Sequence, residues 1–132
     1  MRVVLDTNVL LSATLWSGSV AQKLLFKLFE SNASIFSSLE IISEYTRVLK
    51  RDFNYSDTEA SYVASRVLAF VTLVKPVVKL SVVKEDADDN KIIECALASN
   101  SLFLITYDKA LLKIKNYQNI SVLTPEQFLA LT

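Results

Sequence analysis

Two apolar runs that each stop at a carboxylate constrain this chain most. Val3-Val4-Leu5 leads into Asp6-Thr7-Asn8, and Leu102-Phe103-Leu104-Ile105 leads into Thr106-Tyr107-Asp108. Apolar runs without polar alternation suit parallel strands covered on both faces. If the two strands are parallel neighbours, both aspartates emerge at the carboxyl edge of one sheet. Loops leave a crevice at that edge, and the helices that follow aim their N-termini into it. A strand-end aspartate also commonly caps the next helix, so either residue alone decides little.

The rest of the chain alternates between the two periodicities. Val9 to Leu15 fits a short helix, and Trp16-Ser17-Gly18-Ser19 is a break holding the only glycine. Val20, Leu24, Leu25, Leu28 and Phe29 then recur at helical spacing. Ser34-Ile35-Phe36 is a short strand candidate, and Ser37 followed by Glu40 has the spacing of a capping box that starts a third helix. Ser56 and Glu59 repeat that spacing and open a longer helix through Val63, Val67, Phe70, Val71 and Val74, ended by Pro76. Val77 to Leu80 reads as a strand. Lys109 to Lys115 begins as a short helix or turn with a solvated basic face, and Ile120 to Leu123 reads as the final strand. Thr124-Pro125-Glu126-Gln127 combines an N-cap, a proline at the first helical position and a capping-box glutamine, opening a last helix through Phe128 and Leu131. This alternation predicts an α/β fold, a three-layer α/β/α arrangement on a mostly parallel central sheet. At 132 residues, the expectation is one domain over residues 1–132.

What is missing excludes much chemistry. The chain has no histidine and one cysteine, Cys95. Cys/His zinc sites, Ser-His-Asp and Cys-His nucleophile systems and imidazole general bases are thereby excluded. Cys95 falls inside an apolar helical pattern and reads as a small buried hydrophobe. Fourteen basic residues balance fourteen acidic ones, so binding of a polyanion has to be local or metal-assisted. The composition is 52% hydrophobic with a mean hydropathy of +0.34, yet no run approaches the roughly 20 residues of a membrane span. A soluble protein is expected, with no membrane association. The start Met-Arg-Val-Val runs directly into the first strand without the regions of a signal peptide, which makes a cytoplasmic location the expectation.

Two further carboxylates are phased toward the interior. In the third helix Ile41, Ile42, Tyr45, Val48 and Leu49 form one stripe, and Glu44 falls at its margin. The bland alternative pairs Glu44 with Arg47 on the helix surface. In the acidic segment Glu85-Asp86-Ala87-Asp88-Asp89-Asn90, Asp89 lies on nearly the same helical face as Ile93, Ala96 and Leu97, whereas Asp88 is rotated away and Asp86 precedes the helix. Glu94 projects to a different side and is a secondary candidate. A plain helix cap is the competing reading of Asp89.

Asp6, Glu44, Asp89 and Asp108 are thus spread along the chain at positions that a fold could gather. Carboxylates in one crevice raise one another's pKa unless a cation neutralises them. Hard oxygen ligands without histidine or cysteine select Mg²⁺ or Mn²⁺. Such a site suits phosphodiester hydrolysis by an activated water, with Asn8 and Thr106 orienting ligands, water or substrate.

These segments carry a family resemblance. The whole chain resembles a PIN domain, most closely the VapC-like ribonucleases that are toxin components of toxin-antitoxin systems. The matching segments are Val3-Val4-Leu5-Asp6-Thr7-Asn8-Val9-Leu10, Ser43-Glu44, Asp86-Ala87-Asp88-Asp89-Asn90-Lys91 before Glu94-Cys95-Ala96, Leu104-Ile105-Thr106-Tyr107-Asp108-Lys109, and Leu123-Thr124-Pro125-Glu126-Gln127-Phe128-Leu129. The resemblance implies a parallel-sheet fold, Mg²⁺- or Mn²⁺-dependent cleavage of RNA, a homodimer, and inhibition by a small antitoxin protein that covers the site. It supports Asp6, Glu44, Asp89 and Asp108 as catalytic metal ligands. Many relatives carry another acidic residue two positions after the last aspartate, where this chain has Ala110, and this bears on whether a second metal site exists.

Two other readings make different expectations. A catalytically silent domain of the same fold would use its acidic crevice to dock a basic segment of a partner. A haloacid-dehalogenase-like phosphatase would carry an aspartate two positions after Asp6, where Asn8 stands.

Overall fold

The computed structural model describes residues 1–83 and 87–131, with the backbone alone for residues 87 and 88. Six strands form one sheet in the order β3-β2-β1-β4-β6-β5. Strands β1 (Arg2–Leu5), β2 (Ser34–Ser37), β3 (Val71–Leu73), β4 (Phe103–Ile105) and β6 (Ile120–Leu123) are mutually parallel, and β5 (Asn116–Tyr117) adds antiparallel to β6 at the edge. Val3, Val4 and Leu5 alternate across the two faces of β1, and all three are at most 1% exposed. Both faces of the sheet are therefore covered, as the unbroken apolar run requires.

Seven helices supply the cover among the described residues: α1 (Thr7–Leu15), α2 (Val20–Glu30), α3 (Leu39–Phe53), α4 (Asp57–Leu68), α5 (Ala87–Ala98), α6 (Lys109–Leu112) and α7 (Pro125–Leu131). Helix α5 packs across β1, β2 and β4 and touches α3, while α7 packs on β6 and α2. Tyr45, Leu24, Leu28, Ile92, Ile93, Leu104 and Phe128 fill the interior. Among the described residues no single helix is long and apolar enough to cross a membrane. The chain has one glycine, and asparagine takes over its usual role after helices. Asn32, Asn54 and Asn100 follow α2, α3 and α5 with φ of 55°, 60° and 54°, the left-handed conformation that asparagine tolerates better than most residues.

Several boundaries differ from the sequence reading. Helix α4 stops at Leu68, and Val71–Leu73 is a strand rather than the helix's last turn. Phe70, Val71 and Val74 fit a helical stripe, but Val71 to Leu73 instead pair with Ile35 to Ser37, and that pairing is a tertiary event invisible to local periodicity. Residues 77–80 form no strand, and Val77 is 89% exposed. The third helix is capped by Ser38, whose hydroxyl accepts from the Ile41 amide, because Ser37 is the last residue of β2. Strand β4 starts at Phe103, leaving Leu102 exposed. The capping boxes at Ser56/Glu59 and Thr124/Gln127 form as read. Glu85 and Asp86 lie outside the described residues.

Candidate active site

The register of β1 on β4 pairs Val3 with Phe103 and Leu5 with Ile105, so the two apolar runs end side by side. The Asp6 amide donates to the Ile105 carbonyl at 2.9 Å, stitching the first residue beyond β1 onto its neighbour. Asp6 and Asp108 thus emerge at one sheet edge, as the repeated strand pattern predicts. Helix α5 brings Asp89 to the same edge by topology. The chain leaves α5 for the start of β4, so α5 runs against the strands and its first turn lies at their carboxyl ends.

Thr106 joins the two strand-end aspartates. Its hydroxyl donates to Asp6 Oδ2 at 2.6 Å and accepts from the Asp108 amide at 2.9 Å. Asp6 Oδ1 accepts from the Thr7 amide at 2.6 Å, so Asp6 also caps α1. Asp108 caps α6, its Oδ1 accepting from the amides of Ala110 and Leu111 at 2.8 and 3.1 Å. Capping does not exhaust either carboxylate, because each retains lone pairs beyond those its helix uses.

Glu44 enters from α3. Its Oε2 accepts from the Thr7 hydroxyl at 2.7 Å, which ties α3 to the residue following Asp6. Half-buried Glu44 makes no ion pair with exposed Arg47 among the described residues, in contrast to the surface-pair alternative. Thr7 is the contributor that sequence reasoning missed. The signal was a hydroxyl directly after the aspartate, but its partner lies 37 residues away.

The electrostatics follow from this burial. Asp6 is 5% exposed, and loss of solvation pushes its carboxyl from 3.8 up to about 6; the Thr106 hydroxyl and Thr7 amide oppose the rise, and the negative fields of Glu44 and Asp108 add to it. Among the described residues no Lys or Arg forms an ion pair with Asp6, Glu44 or Asp108. Asp89 is 7% exposed in the first turn of α5, beside Ile92 and Ile93 in the interior. Asn8 sits at the exposed start of α1. Glu94 is buried but turned to a different segment, its Oε2 accepting from the Leu80 amide at 2.8 Å. Burial pushes the Cys95 thiol up to about 12, which keeps it protonated and inert.

Oxygen donors around a buried carboxylate of raised pKa match a hard divalent cation in chemistry. Among the described residues no three acidic side chains stand close enough to enclose an ion. Each threonine hydroxyl meets one carboxylate, Thr106 that of Asp6 and Thr7 that of Glu44. Mg²⁺ accepts such sites, since it keeps several waters and takes one or two carboxylates directly.

The sequence matches the family model described as the PIN domain over residues 2–110. This chain belongs to the PIN domain family. The uncharacterized protein MJ1680 of Methanocaldococcus jannaschii is 27% identical over 146 aligned positions, covering 98% of this chain and 90% of that protein. Among solved structures, VapBC2 from Rickettsia felis bound to a DNA fragment from their promoter superposes with a TM-score of 0.68 at 17% identity, covering 92% of this chain and 97% of that one. PAE2754 from Pyrobaculum aerophilum gives 0.64 at 18% identity, covering 98% and 88%. Both have the PIN fold seen here, a mostly parallel sheet flanked by helices. The matched span of 2–110 contains Asp6, Glu44, Asp89 and Asp108.

Proposed function

We propose that this PIN domain is a metal-dependent endoribonuclease, the toxin of a toxin-antitoxin pair, acting as a homodimer in the cytoplasm and silenced by a small antitoxin protein. The observation that carries the reading is the buried Asp6 carboxylate, linked through Thr106 to Asp108 at the carboxyl edge of the sheet. The likeness to the VapBC2 structure supports the antitoxin partner.

Asp6, Glu44, Asp89 and Asp108 are the groups that would hold Mg²⁺ or Mn²⁺, and Thr106 and Thr7 fix the direction in which Asp6 and Glu44 present their oxygens. When bound, such an ion supplies a Lewis acid that polarises the phosphoryl group and eases deprotonation of an attacking water. Asp6, with a carboxyl titrating near 6, is ionised and able to bind a cation at neutral pH. Asn8, exposed at the start of α1, would orient ligands, water or substrate beside the carboxylates.

The test is cleavage of RNA by the purified protein with added Mn²⁺ or Mg²⁺. Activity that requires the ion and is lost in Asp6→Asn supports the proposal; an Asp6→Asn variant that cleaves as well as the parent defeats it. One observation favours the silent docking reading, namely that no three acidic side chains enclose an ion among the described residues. Calorimetric titration with Mn²⁺ separates the two, because a docking surface gives no saturable uptake.

A further inference from the structure

Residues 74–83, which follow β3 on the way to α5, have little ladder to satisfy their backbone. After the Val74 amide donates to the Ser37 carbonyl, residues 74–83 belong to no helix or strand. Backbone groups near the interior need partners, and two side chains of α5 supply them. Asn90 Oδ1 accepts from the amides of Val82 and Val83, both at 2.9 Å, and its Nδ2 donates to the Val83 carbonyl at 3.0 Å. One turn along the helix, Glu94 Oε2 accepts from the Leu80 amide at 2.8 Å. Both side chains are 5% exposed. Lys79 Nζ stands 3.9 Å from Glu94 Oε1, but it is mostly exposed and adds little.

Asn90 and Glu94 are four positions apart and therefore share one helical face, while Asp89 looks along another with Ile93 and Ala96. The four hydrogen bonds fasten the connector to α5 immediately beside Asp89. We propose that Asn90 and Glu94 are positioning residues, a clasp between residues 79–83 and α5 that sets the rotation and height of the helix's first turn and so places Asp89 at the sheet edge. Glu94 acts in this as a hydrogen-bond acceptor and holds neither metal nor substrate. The inference rests on the nuclease reading for its consequence and on the hydrogen bonds for its geometry.

The acceptor role makes a sharp contrast between two substitutions. Glu94→Gln retains a carbonyl oxygen for the Leu80 amide and removes the charge, whereas Glu94→Ala removes the acceptor. Calorimetric titration of the full chain with Mn²⁺ is expected to give the parental affinity for Glu94→Gln and a loss of about 10- to 100-fold for Glu94→Ala, the range seen when groups that orient ligands are removed. Asn90→Ala is expected to behave like Glu94→Ala. Hydrogen exchange read at Leu80, Val82 and Val83 provides a measure independent of metal: these amides are protected in the parent, Leu80 alone opens in Glu94→Ala, and all are retained in Glu94→Gln.

Equal Mn²⁺ affinity in the parent, Glu94→Ala and Asn90→Ala would overturn the positioning role and leave the nuclease reading standing. A Glu94→Gln variant as impaired as Glu94→Ala would show that the charge is what matters, which also overturns it. A parent that takes up no Mn²⁺ and cleaves no RNA removes both the nuclease reading and the positioning role. If Asn90→Ala does not fold, the two Glu94 variants and the exchange of the parent's amides still decide the matter.

Discussion

Asp6 and Asp108 follow nearly the same local pattern, an apolar parallel strand followed by a helix capped by the aspartate, yet the fold treats them differently. Asp6 is buried against Thr7 and Thr106 with its pKa raised to about 6. Asp108 is half-buried, and its Oδ1 serves two amides of α6. The comparison teaches that a strand end sets only the edge at which a carboxylate appears. What α3 and the neighbouring strand place around that carboxylate decides its charge.

The largest effect expected from this difference is on catalysis. If Asp6 is the central ligand as proposed, Asp6→Asn should lower RNA cleavage by on the order of 1000-fold, through the loss of several kcal/mol of charge stabilisation. Asp108→Asn, which keeps a carbonyl oxygen for the cap, should lower it by about 10- to 100-fold. Single-turnover rates with saturating Mn²⁺ check this order, and equal losses would erase the proposed rank.

Stability should separate the pair next, with opposite signs. Because the folded-state pKa of Asp6 lies above 3.8, the folded protein binds more protons than the unfolded chain between these values. This group's contribution is therefore most favourable below about pH 4 and is lost as pH rises through about 6. A shift from 3.8 to about 6 corresponds to about 3 kcal/mol at neutral pH. Asn lacks one of the two acceptor oxygens, a loss of about 1 kcal/mol, so Asp6→Asn should be more stable by about 1–2 kcal/mol at pH 8 in EDTA. That gain should shrink toward pH 4. Asp108→Ala should instead lose about 1 kcal/mol with its cap. Urea melts at pH 5 and 8 measure both, and a Asp6→Asn gain that does not grow with pH would contradict the buried-charge account.

The smallest effects concern the two threonines. Thr106→Val removes the donor to Asp6 and the acceptor for the Asp108 amide, so the pH below which Mn²⁺ binding fails should move upward, with Thr106→Ser restoring the parental profile. Thr7→Val, which frees only Glu44, should reduce cleavage by less, roughly tenfold at most. A larger effect from Thr7 than from Thr106 would make Glu44, rather than Asp6, the centre of the site.

Much of the fold was legible because long periodic segments and caps are local. The stripe through Ile41, Tyr45 and Leu49 and the capping boxes at Ser56 and Thr124 formed where the side-chain spacing put them. Strand β3 was not legible, since Phe70-Val71-Thr72-Leu73-Val74 satisfies a helical stripe and only pairing with β2 makes it extended. In the site, the inward phase of Asp89 was readable from its helix and its burial agrees. The turn of Glu94 toward Leu80 was not, because Val77 to Leu80 read as a strand and no local pattern says that a glutamate 14 positions on takes the Leu80 amide.

The sequence by itself determined the residue types available: carboxylates and amides but no histidine, a single cysteine, and two apolar runs ending in carboxylates. Those are properties of composition and of periods two and 3.6, which survive in any arrangement of the chain. Only the tertiary structure decided that Thr106 bridges Asp6 and Asp108, that Thr7 reaches Glu44, and that Asn90 and Glu94 grip residues 79–83. Hydrogen bonds act over about 3 Å, whereas two of these contacts join residues 100 and 37 positions apart in the chain, and a local pattern carries no information about which distant group will arrive.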